Sequence, residues 1–515
     1  MFTQAIARQL RHDAAVDHAM LKNTAFQLAV LTAILLLLVL YIIGLPPLAT
    51  PVIPGGDLAA DMAVANKFRD EGLLLTGHYS RFGFHHPGPF FFYANALTEK
   101  ALGASGLPRY QLWVLSTAAL NTIFIAMAAW FFSLMFFDRL RFVPALLFGS
   151  VAVAALQADL VCVWMPCRLE TPYMAFVLSV VLLAKGHGRF LPVATLLAGI
   201  LIHGYASLPL FTLPFLLAGC LIGHYRAKNA MARNPYSGRL LWASAAIAAT
   251  FALPILGDAL IHPPGNLSVM LAAQRHFWDL PKPSWPDLWH FFYEVLAPAF
   301  PAAGIPGLDR RQQAVLLAAA FLCLLPYTNE RYRRDAAALA SLLAAQAVAI
   351  GLYYKYGTPA PLLPFIGQFY LSAVPILMAC ALILPLFLGR HAAYKEVMPL
   401  IALLPMLFLQ PATPPRHIAE TILFSDTIAR DTHRPGVAVI DYATPRMWSL
   451  MTGLLLELDR RGIPACTTWR EWAPFYTDKD ICAEAIPRYR IIRAQDCLGD
   501  CIAKGSDYGL IRTLS

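Results

Sequence analysis

Gly55-Gly56-Asp57-Leu58-Ala59-Ala60-Asp61, with His85-His86-Pro87-Gly88-Pro89-Phe90-Phe91-Phe92-Tyr93 further on, is the stretch on which the reading of this chain turns. Arg69 and Arg81 lie between its two ends. Two acids one helical turn apart, two adjacent histidines, two arginines and an aromatic run thus follow closely on an apolar segment at 25–48. Such a concentration of polar chemistry in an otherwise greasy sequence reads as a reactive face held against a membrane. The rest of the chain reads as its scaffold.

The 515 residues are 58% hydrophobic and 14% charged, against roughly 45–50% and about 25% in a soluble domain. Apolar runs recur that approach the roughly 20 residues needed to cross a hydrocarbon core of about 30 Å. In lipid only helices and closed barrels satisfy the backbone, and these runs are too long and unalternating for barrel strands. The formal charge of +9 comes from short basic clusters between the runs, which fits positive-inside bias better than a nucleic-acid surface. The 25–48 run is too long for the core of a removable signal and no small-residue cleavage site follows it, so it reads as a retained first helix.

With Arg8, Arg11 and Lys22 on the cytoplasmic side, the sequence gives about eleven spans. They fall at 25–48, 111–137, 142–158, 171–184, 190–207, 208–223, 240–257, 313–327, 336–352, 366–388 and 397–410. Inner turns then carry Arg139 and Arg141, Lys185 and Arg189, the run from Arg226 to Arg239, the arginines 331, 333 and 334, and Arg390 with Lys395. The expectation is a polytopic α-helical membrane protein over 1–410, its outer loop 49–110 bearing the site, with a small extracytoplasmic α/β domain over 411–515. In that domain 437–441, 462–465, 489–492 and 508–511 read as strands, and 445–461 as an amphipathic helix with a leucine stripe at 450, 454, 455 and 456. Cys162, Cys167, Cys466, Cys482, Cys497 and Cys501 all fall in expected outer segments. An even outer set suits disulfides of undetermined pairing in an oxidising compartment, and the spacing of Cys497 and Cys501 lacks a companion histidine pair for a metal.

Asp57 follows two glycines at a helical start, with Asp61 on the same face one turn later. The pattern serves equally an N-cap and a general base poised over an acceptor hydroxyl. His85 and His86 cannot face the same way on an extended chain, so at most one reaches a ligand directly, and either can instead bond backbone carbonyls. No metal-ligand spacing accompanies them. Arg81, Arg168, His203, His262, Arg275, His276 and Lys355 lie near outer span ends, where cations meet a lipid-linked phosphate or simply snorkel. His203 sits inside an apolar run, where an ionisable group is expensive, and an interhelical hydrogen bond accounts for it as well as a ligand does. Arg446-Met447-Trp448 and Trp469-Arg470-Glu471-Trp472 interleave rings and charges, either for stacking on sugars or for packing.

A first span followed at once by an outer loop with an acid at its helical start, then an aromatic, His-Pro-rich stretch ending in Tyr93, resembles the GT-C class of integral-membrane glycosyltransferases. Within that class the likeness is to bacterial enzymes that use a polyprenyl-phosphate sugar, such as the aminoarabinose, mannosyl and arabinofuranosyl transferases. The resemblance implies inverting transfer from lipid phosphate to a hydroxyl of a glycan, lipid or protein at the outer face of the inner membrane. A lipid monophosphate leaves with less charge than a diphosphate, so no cofactor is expected and a divalent metal is not indicated. The basic start of the chain puts the N-terminus in the cytoplasm, and the span count puts the C-terminal domain in the periplasm, where the class commonly carries one. Asp57 falls on the class's catalytic acid with Asp61 as the second choice, and His85, His86 and Pro87 fall on the element that shapes the donor site. Arg81, Arg168, His203, Arg275 and Lys355 are the cations available to the phosphate. The chain departs from the class pattern in having three residues between its acids and Pro-Gly-Pro in place of Pro-Pro-Leu. Two other readings have distinct signatures: a flippase for lipid-linked sugars would carry ionisable groups mid-span on broken helices, and an envelope scaffold would leave Asp57 replaceable.

Overall fold

A computed structural model describes residues 52–80, 82–137, 142–229, 235–296, 330–384, 419–431, 437–442, 447–469, 481–482, 485, 487–497 and 501–513. Its helices, in chain order, are α1 (Asp57–Glu71), α2 (Phe90–Leu102), α3 (Arg109–Phe137), α4 (Phe142–Leu156), α5 (Glu170–Ala184, entered through a turn at Met165–Arg168), α6 (Leu191–Gly204) and α7 (Leu208–Asn229). There follow α8 (Gly238–Ile261), α9 (Gly265–Asp279), α10 (Trp285–Leu296), α11 (Glu330–Gly357), α12 (Ala373–Ile383, entered through the 3-10 segment Pro364–Ser372), α13 (Ala419–Asp431) and α14 (Trp448–Arg460).

Among the described residues six stretches are long and apolar enough to cross a membrane: Arg109–Phe136, Met165–Ala184, Leu208–Asn229, Gly238–Ile261, Tyr332–Gly357 and Pro364–Ile383. Two shorter apolar helices, Pro144–Leu156 and Gly188–Gly204, join them. Every expected span on the described residues is therefore helical, while those at 25–48, 313–327 and 397–410 lie outside the described residues. The bundle is built around α5, whose crossing stretch is 94% buried, whereas that of α8 is 6% buried. The outward Leu241, Trp242, Leu253, Leu256 and Leu260 of α8 fit a lipid-facing surface, since lipid is as apolar as the core.

In α10 Leu288, Phe291 and Val295 recur at helical spacing and bury one face, leaving Trp285 and Trp289 exposed. One local outcome differs from the expected pattern. The span expected as one helix at 366–388 begins as the 3-10 segment, where the Phe291 ring occupies the space a side chain at Gly367 would need.

The polar groups sort to the two ends of the bundle. At one end Lys185, just past α5, pairs with Asp335 of α11 at 2.9 Å, bringing together two turns expected on the inner side. At the other end meet α1, the starts of α3, α5 and α7, and the end of α6. There Arg109 opens α3 by bonding Glu99 at 2.8 Å and the Met62 carbonyl at 3.2 Å.

The C-terminal domain carries a five-stranded sheet of order β2-β1-β3-β5-β4: β1 Ala438–Tyr442, β2 Ala465–Thr467, β3 Tyr489–Arg493, β4 Cys501–Lys504 and β5 Tyr508–Arg512. β1 lies parallel to β2 and β3, and β5 runs antiparallel to β3 and β4. Strand β4 escaped the sequence reading because Cys-Ile-Ala-Lys is short and weakly patterned. Disulfides join Cys162 to Cys167, Cys466 to Cys482 and Cys497 to Cys501, so all six expected outer cysteines are paired. Cys323 lies outside the described residues.

This domain is not a detached appendage. Ala60 of α1 and Tyr79 are buried in its core with Phe424, Ile440, Leu450 and Leu454, while Leu456 turns out of the expected stripe toward the cluster of Met62, Trp113 and Val163. The two helices approach closely because Gly453 has no side chain; a Cβ there would come within 2.9 Å of the Pro54 carbonyl. The two-ended arrangement is testable. Ser105 precedes α3 and Asn229 ends α7, both exposed, so Ser105→Cys and Asn229→Cys will react with a membrane-impermeant maleimide from opposite sides of sealed vesicles. Labelling of both from one side would refute it.

Candidate active site

Asp57 begins α1 because Gly56, at φ +61°, turns the chain in a way other residues resist. The Gly56 amide donates to the Ser449 carbonyl at 3.2 Å, tying this turn to the C-terminal domain. The Asp57 carboxylate receives hydrogen bonds from three distant parts of the chain. Tyr79 Oη donates to Oδ1, Trp448 Nε1 donates to Oδ1 at 3.2 Å, and Trp164 Nε1 donates to Oδ2 at 3.0 Å. Trp164 is presented by the loop that the Cys162–Cys167 disulfide closes, and its ring rests on Phe365 at 5.2 Å. An ionised carboxylate accepts at about four lone-pair sites. Three are filled, so among the described residues one site on Oδ2 stays open.

Asp61 is 4% exposed. Burial holds its carboxyl well above the usual range, the Asp57 charge adds to this, and Arg168 opposes it. Neighbouring carboxyls in such surroundings divide their roles, one retaining its proton. Arg168 is 2% exposed; its guanidinium donates through Nη2 to Asn95 Oδ1 at 3.1 Å and lies 4.7 Å from the centre of the Phe91 ring. Phe91 and Phe92 of the aromatic run are buried at the start of α2.

The histidines belong to a hairpin held by Ser80 N to the Phe84 carbonyl at 2.7 Å and His86 N to the His78 carbonyl at 2.8 Å. Neighbours on its second arm face apart, as the sequence required. The His85 Nδ1–H donates to the Gly77 carbonyl at 3.2 Å, and the Asn266 amide grips the His85 backbone at 2.7 and 2.6 Å. His86 accepts the Ala206 amide on Nδ1 at 2.9 Å, so its proton sits on Nε2. It stacks on Tyr205 at 4.4 Å and meets His78 at 3.9 Å. Burial pushes His86 down to about 3, and burial with the neighbouring histidines lowers His78. Both are neutral at physiological pH.

His203 donates from Nε2 to the Phe251 carbonyl at 2.7 Å, an interhelical bond of the kind its sequence position allowed. Its ring fills the space beside Gly88, where any Cβ would overlap it. Lys355 donates to the Pro283 carbonyl at 2.6 Å and lies over Trp285 at 5.7 Å, while Arg275 and His276 are exposed on α9. Neither Lys355 nor Arg275 has a described contact with Asp57. Arg81 lies outside the described residues. The structure thus sets Asp57 and Asp61 one turn apart on α1, with Tyr79 of the histidine hairpin bonded to Asp57, and holds Arg168 against Asn95 and Phe91 of α2.

Sequence reasoning missed Tyr79, Trp164 and Trp448 as partners of Asp57. Trp448 alone carried a signal, in the interleaving of Arg446-Met447-Trp448.

The depressed histidines give a definite pH dependence. Above about pH 6.5 neither the folded nor the unfolded chain protonates His86. As pH falls below that, the unfolded chain takes the proton first, and stability is lost until the folded value of about 3 is reached. Between pH 7.5 and 5 His86 alone removes about 2 kcal/mol. Thermal unfolding of the purified protein at the two pH values is expected to show this loss, and His86→Gln to reduce it. Parallel pH slopes for the two proteins would disprove the assignment.

No family model matches the chain, and no curated protein sequence does. Its structure is similar to that of ArnT from Cupriavidus metallidurans bound to undecaprenyl phosphate, with a TM-score of 0.59 and 12% identity over 94% of this chain and 97% of that one. It is also similar to the apo state of the same protein, with a TM-score of 0.57 and 13% identity over 95% and 98% of the two chains. At these identities the likeness is one of fold, extending over the bundle and the C-terminal domain together. The chain has the GT-C fold that its outer loop and the His-Pro stretch implied.

Proposed function

We propose that this protein is an inverting glycosyltransferase that moves a sugar from a polyprenyl-phosphate donor to an acceptor hydroxyl at the outer face of the bacterial inner membrane, with Asp57 as general base. The observation that carries the reading is the Asp57 carboxylate oriented by three donors, Tyr79 and Trp448 on Oδ1 and Trp164 on Oδ2, which among the described residues leaves Oδ2 with one partner. A carboxylate oriented from three sides has one direction from which to take a proton. The likeness in fold to a protein crystallised with undecaprenyl phosphate supports the class of donor.

In this reading the acceptor oxygen attacks the anomeric carbon as its proton passes to Asp57 Oδ2. The bond from that carbon to the phosphate oxygen breaks with the electron pair going to the lipid phosphate, and one displacement inverts the centre. Arg168, a buried guanidinium, meets the charge that develops on the phosphate, where a low dielectric makes a fixed cation most effective. Asp61, whose carboxyl burial pushes above the usual range, helps to position the acceptor. A lipid monophosphate leaves with less charge than a diphosphate, so the chemistry asks for no metal.

The acceptor is a glycan, lipid or protein. The C-terminal domain receives it and also supplies Trp448 to the base. The end of the bundle bearing Asp57 faces the periplasm, with the N-terminus cytoplasmic.

General base catalysis contributes typically about 10²–10⁴-fold. Asp57→Asn is therefore expected to lower transfer by at least about 100-fold in membranes that contain wild-type amounts of the protein, measured as glycan product. Undiminished transfer would refute the enzymatic reading. Trp448→Phe keeps the ring against Tyr79 but removes one bond to a charged acceptor, worth about 1.5–3 kcal/mol. It should lower kcat by roughly 10- to 100-fold beside a drop of a few degrees in melting temperature, and an unchanged kcat would show that Trp448 is packing alone.

A further inference from the structure

The span that ends in α12 begins as the nine-residue 3-10 segment Pro364–Ser372. Runs of this geometry beyond about four residues are uncommon, because its hydrogen bonds are poorer than those of an α-helix. A longer run has to be held by its surroundings. Here the Phe291 ring of α10 packs on Gly367, Tyr354 of α11 donates its hydroxyl to the Ile366 carbonyl, and Tyr370 Oη donates to the Leu343 carbonyl of α11 at 2.6 Å. Two helices thus clamp the segment from behind.

On its front the geometry supplies alignment. Side chains at i and i+3 of a 3-10 helix eclipse, about 6 Å apart along the axis, whereas in an α-helix the second is turned about 60° aside. Phe365 and Gln368 are such a pair. The Phe365 ring lies against Trp164 at 5.2 Å, and Gln368 Nε2 donates to Glu170 Oε1 at 2.9 Å and to Cys167 Sγ at 3.5 Å. Trp164 and Cys167 have the same spacing, Trp164 heading the turn Met165–Arg168 and Cys167 lying within it, so the two strings match step for step. Cys167 and Glu170 are 4 and 0% exposed, so Gln368 grips fixed points. Trp164, by contrast, is only partly buried, and its indole needs a wall behind it to keep Nε1 on Asp57 Oδ2 at 3.0 Å.

We infer that Phe365 and Gln368 are positioning residues for the base, the 3-10 segment being the wall that keeps the Trp164 indole on Asp57 Oδ2. This rests on the transferase reading above and extends it to side chains that have no described contact with Asp57. The tightened entry of the span then has a task that an α-helix, with its two side chains splayed, performs less well.

The test compares two backgrounds, with transfer measured as glycan product in membranes that contain wild-type amounts of each full-length protein. Trp164→Phe removes the bond to Oδ2 and is expected to lower transfer by roughly 10- to 100-fold. Phe365→Leu and Gln368→Leu should each lower it by about 3- to 10-fold in the otherwise wild-type protein. In the Trp164→Phe protein each should cost less than about twofold more, because the bond they support is already gone. Phe365→Tyr keeps the ring and should retain wild-type transfer. Phe365→Leu leaves the Glu170 bond in place, and serves alone if Gln368→Leu does not fold.

Equal fold losses in both backgrounds would reduce the segment to packing and overturn the inference. Undiminished transfer by Phe365→Leu and Gln368→Leu, or by Trp164→Phe, would overturn it too, while leaving Asp57 as the base. Undiminished transfer by Asp57→Asn would remove the transferase reading and this inference with it.

Discussion

The Asp57 carboxylate is held by a hydroxyl from the hairpin, an indole from a disulfide-closed loop and an indole from the C-terminal domain. None of these three can be moved independently. Tyr79 is fixed by burial in the C-terminal core, Trp164 by the loop between Cys162 and Cys167, and Trp448 by the close approach of α14 that Gly453 permits. Membrane bundle and C-terminal domain therefore both reach this one side chain.

Around that point the molecule places polar groups where they are costly. An apolar bundle offers little to offset the desolvation of a carboxyl, an imidazole or a guanidinium. The structure meets the cost by three physical routes. The hairpin histidines stay neutral, and one accepts a backbone amide. Asp61 is pushed toward its protonated form by burial. Arg168, which keeps its charge, is given the Asn95 oxygen and the face of Phe91. At the far end of α5 the same logic yields the ion pair of Lys185 with Asp335, so the central helix is polar at both ends and apolar between.

The glycines are placed where two pieces of backbone or a ring must come close. Gly88 admits the His203 ring between the hairpin's exit and α6, and Gly453 admits the Pro54 carbonyl between α14 and the approach to α1. Together with the Asn266 amide on the backbone of His85, these contacts hold the outer loop against helices far from it in sequence. These contacts fix where the outer loop sits, which a base that must face one direction requires.

What the sequence determined by itself followed from local and periodic chemistry. Runs of apolar residues must become helices in lipid, so every expected span on the described residues is a helix, and alternation of basic turns set which ends lie together. Gly56 before Asp57 marked a helix start, and adjacent histidines had to point apart. Tertiary structure alone decided which distant side chains meet. Nothing local in Trp164 or Trp448 announces a bond to a carboxylate at position 57, because their hydrogen-bonding partner lies more than a hundred residues away. The same holds for Arg168, one of several outer cations of equal standing in the sequence, and only packing of α2 against α3 and α6 brings Asn95 and Phe91 to it. Patterning fixes what an element is, whereas close packing of many elements fixes which side chains it touches.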